Sequence, residues 1–330
     1  MIEPISSASG EDELTEWLAG IGLRLREREP LSGDVSPRRY TRLEFEDGTT
    51  AILAVYPPEV RSTCPRFLAT TALLEEAGVR VPRVLAADCD GPGWMLLEDL
   101  GPRTLGDWRG RPWSETTGYF EDALEIALRI SRLPAAGLAG LNPLLGRELL
   151  ARELAQTWDL FLAPRELTGG PALAGALREA LDAICTALGE EEPVPCHRDF
   201  MARNLMPLPG TSRVAVLDHQ DLRLGPPLYD VASLLNDTLF PPPEVEEALL
   251  SRALAAPADR VRYHRAAAQR TLKAVGTYAS FARRGADRHL PLIPGTLSRC
   301  LGHLARVPES AALTADLARA WGPALEPAAG

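Results

Sequence analysis

The spacing of apolar residues changes near residue 100, and this change constrains the fold more than any other feature of the chain. Before it, short alternating segments such as "YTRLEF" and "TAILAVY" are separated by turn signals such as "EDG". This pattern predicts two β-hairpins, with one helix around "FLATTALLEEAG". After residue 100 helical spacing dominates, and we therefore predict two lobes, residues 1–100 with a small antiparallel sheet and residues 101–330 with mainly helices.

Within these lobes the spacing places individual elements. Residues 11–28 are predicted to form an amphipathic helix over the first lobe, with Leu14, Trp17, Leu18 and Ile21 on its apolar face. Helices are expected near 116–132, 147–162 and 173–188, short strands between 193 and 224, and helices again from about residue 230 to the end.

Composition narrows the classes of function. A net charge of −10 disfavours nucleic acid as a partner, since such binding needs clustered Lys and Arg. We find no apolar run near the ~20 residues that span a bilayer, and the acidic N-terminus lacks the features of a secretory signal. We therefore expect a cytoplasmic protein without a membrane partner. A monomer is also expected, although the sequence does not itself give the oligomeric state.

The cysteines and basic residues are also informative. The five cysteines are scattered and form no C-x-x-C pair, which predicts free, mostly buried thiols rather than disulfides or a zinc site. Of 35 basic residues 34 are arginine, and Lys273 is the single lysine. We interpret this imbalance mainly as a compositional bias of the gene.

The stretch "HRDFMARNL" holds the residues best suited to chemistry. It is followed by "LMPL", the turn "PGTS" and the apolar strand "RVAVLD", which together predict a hairpin with Asn204 opposite Asp218. Amide and carboxylate oxygens suit Mg²⁺. Asp199, in the loop before the hairpin, can accept a proton from a substrate hydroxyl. H-R-D-x-x-x-x-N followed by a metal-binding Asp is the pattern of a phosphoryl-transfer site.

Three neighbouring residues receive other roles. His197 is expected to brace the loop. Asp230 precedes an apolar helix, where we predict a structural N-cap. Asp221 could tune the metal, contact the substrate or brace the loop, and the sequence does not choose among these roles.

The motif with its continuation, D-x-x-D-x-x-x-G-x-x-x-x-D-V-A, resembles the aminoglycoside phosphotransferase superfamily. Further segments, including "GDVSPRRYTRL", "LLEDLG", "LLARELAQTWDLFL" and "QRTLKAVGTYASFARRG", are similar to one branch, the bacterial anomeric kinases of N-acetylmuramate and N-acetylglucosamine in cell-wall recycling. The resemblance implies a protein-kinase-like bilobal α+β fold, a nucleotide-covering first lobe, ATP and Mg²⁺ as cofactors, and an amino sugar as acceptor. Because an anomeric hydroxyl is relatively acidic, a carboxylate base with an ordinary pKa is expected to suffice.

The resemblance also assigns nucleotide contacts. "GDVSPRRY" matches the phosphate-covering turn, with Ser36, Arg38 and Arg39 as candidates, although only one of two adjacent arginines on a strand can face a cleft. Backbone groups near Glu98 and Leu100 match the site for the adenine edge. The usual strand lysine is replaced by Ala54, so an arginine (Arg38, Arg39 or Arg66) or the metal alone is expected to neutralise the phosphates.

Substrate contacts are expected from the second lobe. Gln269, Lys273 and Gly276 recur at i, i+4 and i+7 and match the branch pattern Q-R-x-L-K-x-x-G, which favours a polar stripe facing a cleft over a solvated face. Glu153, with Gln156 or Asp159 one to two turns on, is a second candidate.

Two alternatives stay open at this point. The acceptor could be an aminoglycoside, free glucosamine or another amino alcohol, since an acidic chain could supply carboxylates for a polycation. The absence of lysine at Ala54 also allows a nucleotide-binding pseudokinase with a regulatory role.

Overall fold

The structure, a computed structural model, describes residues 8–31 and 37–326. Its contacts divide the chain into two compact units. The first contains the residues up to Ala72 together with Val81–Gly101, and the second contains Leu73–Arg80 and everything after Gly101. The division differs from the predicted one at 73–80, because the end of one helix and the turn after it pack with the second unit.

The first unit is built on a five-stranded antiparallel sheet with the strand order β1-β2-β3-β5-β4. Its elements are α1 (Ala8–Gly20), β1 (Leu25–Leu31), β2 (Arg39–Phe45), β3 (Thr50–Val55), α2 (Cys64–Glu76), β4 (Val84–Asp88) and β5 (Trp94–Glu98). The prediction of a single helix over 11–28 is wrong in its second half. Gly22, at φ 81°, takes a left-handed conformation after α1, and residues 25–31 pair with β2 as an edge strand.

The two faces of this sheet carry different apolar clusters. One face, with Leu53 and Val55, packs against Leu14 and Leu18 of α1. The opposite face carries Ala54, Tyr56, Met95 and Leu97 together with Cys64 and Phe67 of α2. Because side chains alternate along a strand, residues 53 and 55 share one face and residues 54 and 56 share the other.

Two of the cysteines form a disulfide, which corrects the expectation of free thiols. Cys64 begins α2 and Cys89 follows β4, and their Cα atoms lie 5.7 Å apart. This distance suits a disulfide. The sequence separation of 25 residues gave no hint of the pairing, which depends on how α2 packs on the sheet. Cys185, Cys196 and Cys300 are free and buried, as expected.

The second unit is mainly helical. Its helices are α3 (Trp113–Ile130), α4 (Arg147–Thr157), α5 (Pro171–Gly189), α6 (Tyr229–Leu235), α7 (Pro243–Ala253), α8 (Pro257–Arg283), α9 (Ile293–Leu304) and α10 (Thr314–Leu325). Two short antiparallel ladders are inserted, one of β6 (Val194–Cys196) with β9 (Arg223–Gly225) and one of β7 (Leu205–Pro207) with β8 (Val214–Val216). Among the helices of the described residues, none combines the length and the hydropathy that a membrane-spanning segment requires.

Helix α8 is the central element of this unit and packs against α4, α6 and α9. Residues on all its sides are buried, from Tyr263 to Ala279. It approaches α4 closely at Gly276, where a Cβ atom would lie 2.2 Å from Thr157 Oγ1 and 2.7 Å from Thr157 Cα. Thr157 Oγ1 in turn donates to Leu272 O at 2.9 Å. A glycine is therefore required for the spacing of α4 and α8.

Gly276→Ala is accordingly expected to lower the free energy of unfolding by about 1–3 kcal/mol through overpacking. Gly175→Ala in α5 is the matched control, since nothing lies within 4 Å of its added Cβ. In that control the free energy of unfolding should rise by roughly 0.5–1 kcal/mol, because alanine has a higher helix propensity than glycine. Urea unfolding followed by circular dichroism measures both. Equal stability of the two variants would contradict the close packing of α4 and α8.

A buried polar network joins α6, α8 and α9. His303 Nε2 donates to Asn236 Oδ1 at 2.7 Å, so in a neutral ring its Nδ1 accepts from His264 Nδ1 at 3.0 Å. Asn236 Oδ1 also accepts from Arg299 Nη2 at 2.6 Å. Burial, with Arg306 next in effect, lowers the pKa of His264 to about 4, and burial lowers the pKa of His303 well below its ordinary value. Both rings have partners within the core, which the sequence did not reveal.

The network predicts a loss of stability in mild acid. The pKa of His264 is lowered to about 4 in the folded state. Its contribution to the free energy of unfolding is therefore complete above pH 6.5 and is lost as the pH falls toward 4. The titration of His264 alone should lower the free energy of unfolding by about 2 kcal/mol between pH 7.5 and pH 5. Urea unfolding at the two pH values measures the change. The raised pKa of Asp230 acts in the opposite direction over this range but is common to wild type and to the double variant His264→Gln/His303→Gln, so it cancels when the two are compared. The double variant should therefore lose less stability than the wild type by about 2 kcal/mol or more, and an equal loss in both proteins would contradict the interpretation.

Candidate active site

The loop from His197 to Asn204 connects β6 to β7 and is held at both ends by short ladders. Leu205 pairs with Val216, and Leu217 N donates to Asn204 O at 2.8 Å. Asn204 therefore lies opposite Leu217, and the predicted pairing with Asp218 is wrong by one residue. Asp218 follows directly, in a left-handed conformation at φ 57° and ψ 38°, where the strand has already ended.

Asp230 braces this loop from α6. Its Oδ2 accepts from His197 N at 2.6 Å and its Oδ1 accepts from Arg198 N at 2.9 Å. The predicted N-cap role is wrong, because Leu228 occupies the cap position and Asp230 lies in the first turn. Burial, only partly offset by the charge of His197, raises the pKa of Asp230 to about 6. His197 is fully buried, with Nε2 2.9 Å from Leu217 O, so it joins the loop to the end of β8.

Three cations surround Asp199. Lys273 Nζ lies 3.3 Å from Oδ1, and Arg270 Nη2 lies 3.4 Å from the same oxygen. Arg198 Nη1 lies 4.0 Å from Oδ2. The two residues from α8 thus hold one oxygen of the carboxylate, while the side chain as a whole keeps 28% of its surface exposed.

These charges change what Asp199 can do. Its burial favours the neutral acid, but Lys273, Arg270 and Arg198 outweigh that effect and place the pKa of Asp199 well below its ordinary value. The expectation of an ordinary pKa is therefore wrong. A carboxylate that stays ionised this firmly is a weak proton acceptor and a dependable hydrogen-bond acceptor. It is suited to orienting a hydroxyl in a reaction that depends chiefly on positioning.

Glu153 and Gln269 lie between α4 and α8, with their polar atoms engaged by protein groups. Glu153 Oε1 accepts from Arg198 Nη2 at 2.8 Å, and Glu153 Oε2 accepts from Gln269 Nε2 at 3.1 Å. Gln269 Oε1 accepts from Tyr229 Oη at 2.8 Å. Burial opposes ionisation of Glu153, but Lys273 and Arg198 lower its pKa overall. The predicted stripe therefore faces α4 instead of an open cleft, and of its three residues only Lys273, in the middle, reaches Asp199.

The other two acidic candidates, Asp221 and Asp159, lie in different places. Asp221 pairs with Arg198 at 3.2 Å and with Arg223 at 3.3 Å, which corresponds to the bracing role among the three left open. Asp159 is not brought to the cluster. It is exposed on a π-helical turn after α4 and lines a separate cavity of about 330 Å³ with Trp158 and Arg178.

Asn204 and Asp218 carry the side-chain oxygens that are predicted to hold Mg²⁺. Asn204 Nδ2 donates to Asp199 O at 2.9 Å, which leaves Oδ1 as the acceptor atom of the amide. Asp218 Oδ1 accepts from Gln220 Nε2 at 2.8 Å. Over the described residues, His, Cys, Asp and Glu form no metal cluster of three or more. One amide and one carboxylate still fit Mg²⁺, which retains waters and binds phosphate oxygens.

The nucleotide candidates belong to the first unit, where Ser36 lies outside the described residues. Arg38 immediately precedes β2, and its guanidinium carbon lies 5.9 Å from the centre of the Tyr56 ring. It is therefore on the sheet face of Ala54, whereas Arg39, one residue on, points to the opposite face. Ala54 is completely buried, so the strand offers no polar group there.

The segment containing Glu98 and Leu100 is anchored by its middle residue. Asp99 Oδ2 accepts from Arg42 Nε at 2.7 Å, and Asp99 Oδ1 accepts from Gly101 N at 3.0 Å. Glu98 N donates to Arg83 O at 2.9 Å and is already used within the sheet. Leu100 is half-buried beside this anchored turn.

Sequence reasoning missed two residues of the site, Arg198 and Arg270. A signal existed for each: Arg198 is the arginine of H-R-D, and Arg270 precedes Lys273 by three residues, so the two share a helix face. The i, i+4, i+7 pattern contains Gln269 but not its neighbour Arg270, so Arg270 was overlooked.

Comparison with known proteins identifies the class. The chain matches the model of the phosphotransferase enzyme family over residues 27–265 and belongs to that family. It is therefore an enzyme that transfers a phosphoryl group to a hydroxyl acceptor, and the pseudokinase alternative is not supported.

Individual relatives extend this result. The chain is 34% identical over 305 residues to the N-acetylmuramate/N-acetylglucosamine kinase of Pseudomonas aeruginosa, covering 86% of each chain. It is 32% identical over 296 residues to the kinase of the same name from Neisseria meningitidis serogroup B, covering 84% of each. Among solved structures it is similar to the aminoglycoside phosphotransferase APH(2'')-Ib with ADP bound. That similarity has a TM-score of 0.62 at 15% identity and covers 93% of this chain and 99% of the other. The predicted protein-kinase-like α+β fold is confirmed.

Proposed function

We propose that the protein is an ATP- and Mg²⁺-dependent kinase that phosphorylates the anomeric hydroxyl of N-acetylmuramate and N-acetylglucosamine. The observation that carries the proposal is the identity of 34% over 86% of the chain with a kinase named for these two sugars. Three further relatives at 30–32% identity have the same name. Its place would be the recycling of cell-wall amino sugars in the cytoplasm, where ATP is available.

The charge around Asp199 supports a neutral or anionic acceptor. Arg198, Arg270 and Lys273 lie within 4.0 Å of this carboxylate, and its acidic neighbours Glu153 and Asp221 are paired with the same cations. A polycationic aminoglycoside would meet like charges here, which costs binding free energy. An N-acetylated sugar carries no amine charge, and N-acetylmuramate adds a carboxylate.

In the proposed reaction Asp199 accepts a hydrogen bond from the sugar hydroxyl and orients it. The sugar oxygen bonds to the γ-phosphorus while the bond from that phosphorus to the ADP oxygen breaks, and ADP leaves. The hydroxyl proton becomes strongly acidic as the new bond forms, so it passes to Asp199 late in the step, when even a weakly basic carboxylate can accept it. Asn204 Oδ1 and Asp218 would hold Mg²⁺, which supplies charge neutralisation for the phosphates when bound. Arg38 is proposed as the cation that replaces the absent strand lysine, on the support of its place on the sheet face of Ala54. Ser36 and the backbone near Glu98 and Leu100 remain proposed nucleotide contacts. Glu153 and Gln269 are proposed to position Lys273 rather than to touch the sugar.

The test is a panel of acceptors in an assay of ADP release. N-acetylmuramate and N-acetylglucosamine should stimulate release, whereas the methyl glycoside of N-acetylglucosamine, which lacks a free anomeric hydroxyl, should not. Phosphorus NMR of the product should show a phosphate coupled to the anomeric proton. Stimulation by kanamycin or free glucosamine alone, or phosphate on another hydroxyl, would reject the proposal in favour of the other acceptor class.

We also propose that the protein is a monomer. Sedimentation at assay concentrations measures it, and a stable dimer would contradict this part alone.

A further inference from the structure

Two cationic side chains of helix α8 lie beside the same carboxylate oxygen of Asp199. Arg270 and Lys273 are three residues apart on α8, and their charged groups lie 3.4 Å and 3.3 Å from Oδ1. The hydrogen bond from Lys273 goes to Oδ1, whereas the ion pair of Arg198 joins Oδ2 at the longer distance of 4.0 Å. The carboxylate therefore has one oxygen engaged by the protein, and Oδ2 has the larger capacity to accept a hydrogen bond from another molecule.

The position of the Lys273 ammonium is set by packing on several sides. Its Nζ lies 3.4 Å from Glu153 Oε1, and Glu153 is itself held by Arg198 and Gln269. One turn further along α8, Gly276 fixes the distance to α4. The Lys273 side chain is 10% exposed, so it cannot swing into solvent without disturbing these contacts.

The residue type at this position stands out against the rest of the chain. Among 35 basic residues it is the single lysine, while the other cations of the cluster are arginines. An ammonium is a compact charge on a flexible stem and can touch one oxygen on each of two carboxylates. A guanidinium is planar and larger, and it favours two parallel bonds to one carboxylate. The narrow space between Glu153 and Asp199 suits the ammonium.

We propose that Lys273 is a positioning residue required specifically as lysine, which with Arg270 holds Asp199 through Oδ1 and so presents Oδ2 to the acceptor hydroxyl. The inference rests on the proposed kinase function and deepens it. Lys273 was expected to contact the sugar directly, whereas in this proposal it acts on the sugar only through Asp199. Its consequence is that changes at Lys273 reduce kcat while nucleotide binding is retained.

Steady-state kinetics with N-acetylmuramate form the first test. Lys273→Arg keeps the charge and is expected to lower kcat about 100-fold, the cost of misplacing a reacting group by about 1 Å, with the dissociation constant for ADP unchanged. Arg260→Lys is the matched control, an exposed residue of the same helix paired with Glu247, and it should behave as wild type. A Lys273→Arg enzyme with wild-type kcat would overturn the proposal.

A second test needs no catalysis and uses the single lysine. Protein made with lysine labelled by ¹³C at Cε gives one lysine side-chain signal, which follows the titration of Lys273 directly. The groups facing Nζ are Asp199, Glu153, Arg198 and Arg270, and burial lowers its pKa while Asp199 raises it. The midpoint should lie below the ordinary ~10.4 and fall further in Asp199→Asn. An unchanged midpoint in that variant would show that the contact is absent.

The two tests separate the inference from the function on which it rests. If the wild-type enzyme phosphorylates no amino sugar, the proposed function fails even where the NMR titration shows the Lys273–Asp199 contact. If the wild-type enzyme is active and Lys273→Arg is equally active, the function stands and the inference fails.

Discussion

Replacing Asp199 with asparagine is expected to lower kcat for N-acetylmuramate roughly 10²- to 10⁴-fold, the usual contribution of a positioned proton acceptor. Asparagine has nearly the same shape but neither accepts the proton nor balances Lys273 and Arg270 beside Oδ1. ADP binding, measured by calorimetry, should change little, because no nucleotide contact is assigned to this side chain.

A control for this prediction is Asp182→Asn. Asp182 is an exposed residue of α5 that pairs with Arg147 at 2.8 Å, so its substitution removes an aspartate ion pair that is not part of the cluster around Asp199. Thermal unfolding of both variants separates a loss of chemistry from a loss of folded protein. A folded Asp199→Asn enzyme that phosphorylates the sugar at an undiminished rate would remove Asp199 from its proposed role.

Asp218→Asn is expected to have the second largest effect, through metal binding. Asparagine tolerates the left-handed conformation of this residue, so the backbone should keep its path while the negative charge is lost. Changes to groups that merely support metal ligands cost 10–100-fold in affinity, and a direct ligand should cost at least about 100-fold. Titration of Mn²⁺ in the presence of ADP, followed by electron paramagnetic resonance, measures this independently of turnover.

Asp221→Asn serves as the control for metal binding. Its carboxylate pairs with Arg198 and Arg223, so the affinity for Mn²⁺ should stay near that of the wild type even where kcat changes. Equal loss of Mn²⁺ affinity in both variants would show that the metal is not held by Asp218 in particular.

The fold could be predicted where local patterns decide it. Strands β2, β3 and β5 alternate or are continuously apolar, and the turn "EDG" marks a hairpin, so their placement followed from the sequence. Strand β1 could not be predicted, because "LREREPL" has helix-forming residues and becomes a strand only by pairing with β2. The disulfide depends in the same way on tertiary packing.

The candidate site shows the same division. Asp199, Asn204 and Asp218 follow from a contiguous motif. The hairpin register was missed by one residue, because Leu208 N donates to Arg213 O and this pair sets which residues face each other. Arg270 and Lys273 reach Asp199 across more than 70 residues of sequence. Asp230 was assigned to its own helix, since nothing local shows that its carboxylate accepts from the amides of a distant loop.

Strand β1 also affects how molecules of this protein can meet. It forms one edge of the sheet, and five of its seven residues are the exposed run Arg26, Glu27, Arg28, Glu29 and Pro30. A strand from a second molecule would have to pair with a backbone that lacks an N–H at Pro30, beside charges of both signs. The sheet is thereby protected from growth along this edge. A high local concentration of the protein should favour dispersed molecules over aggregates joined strand to strand at β1.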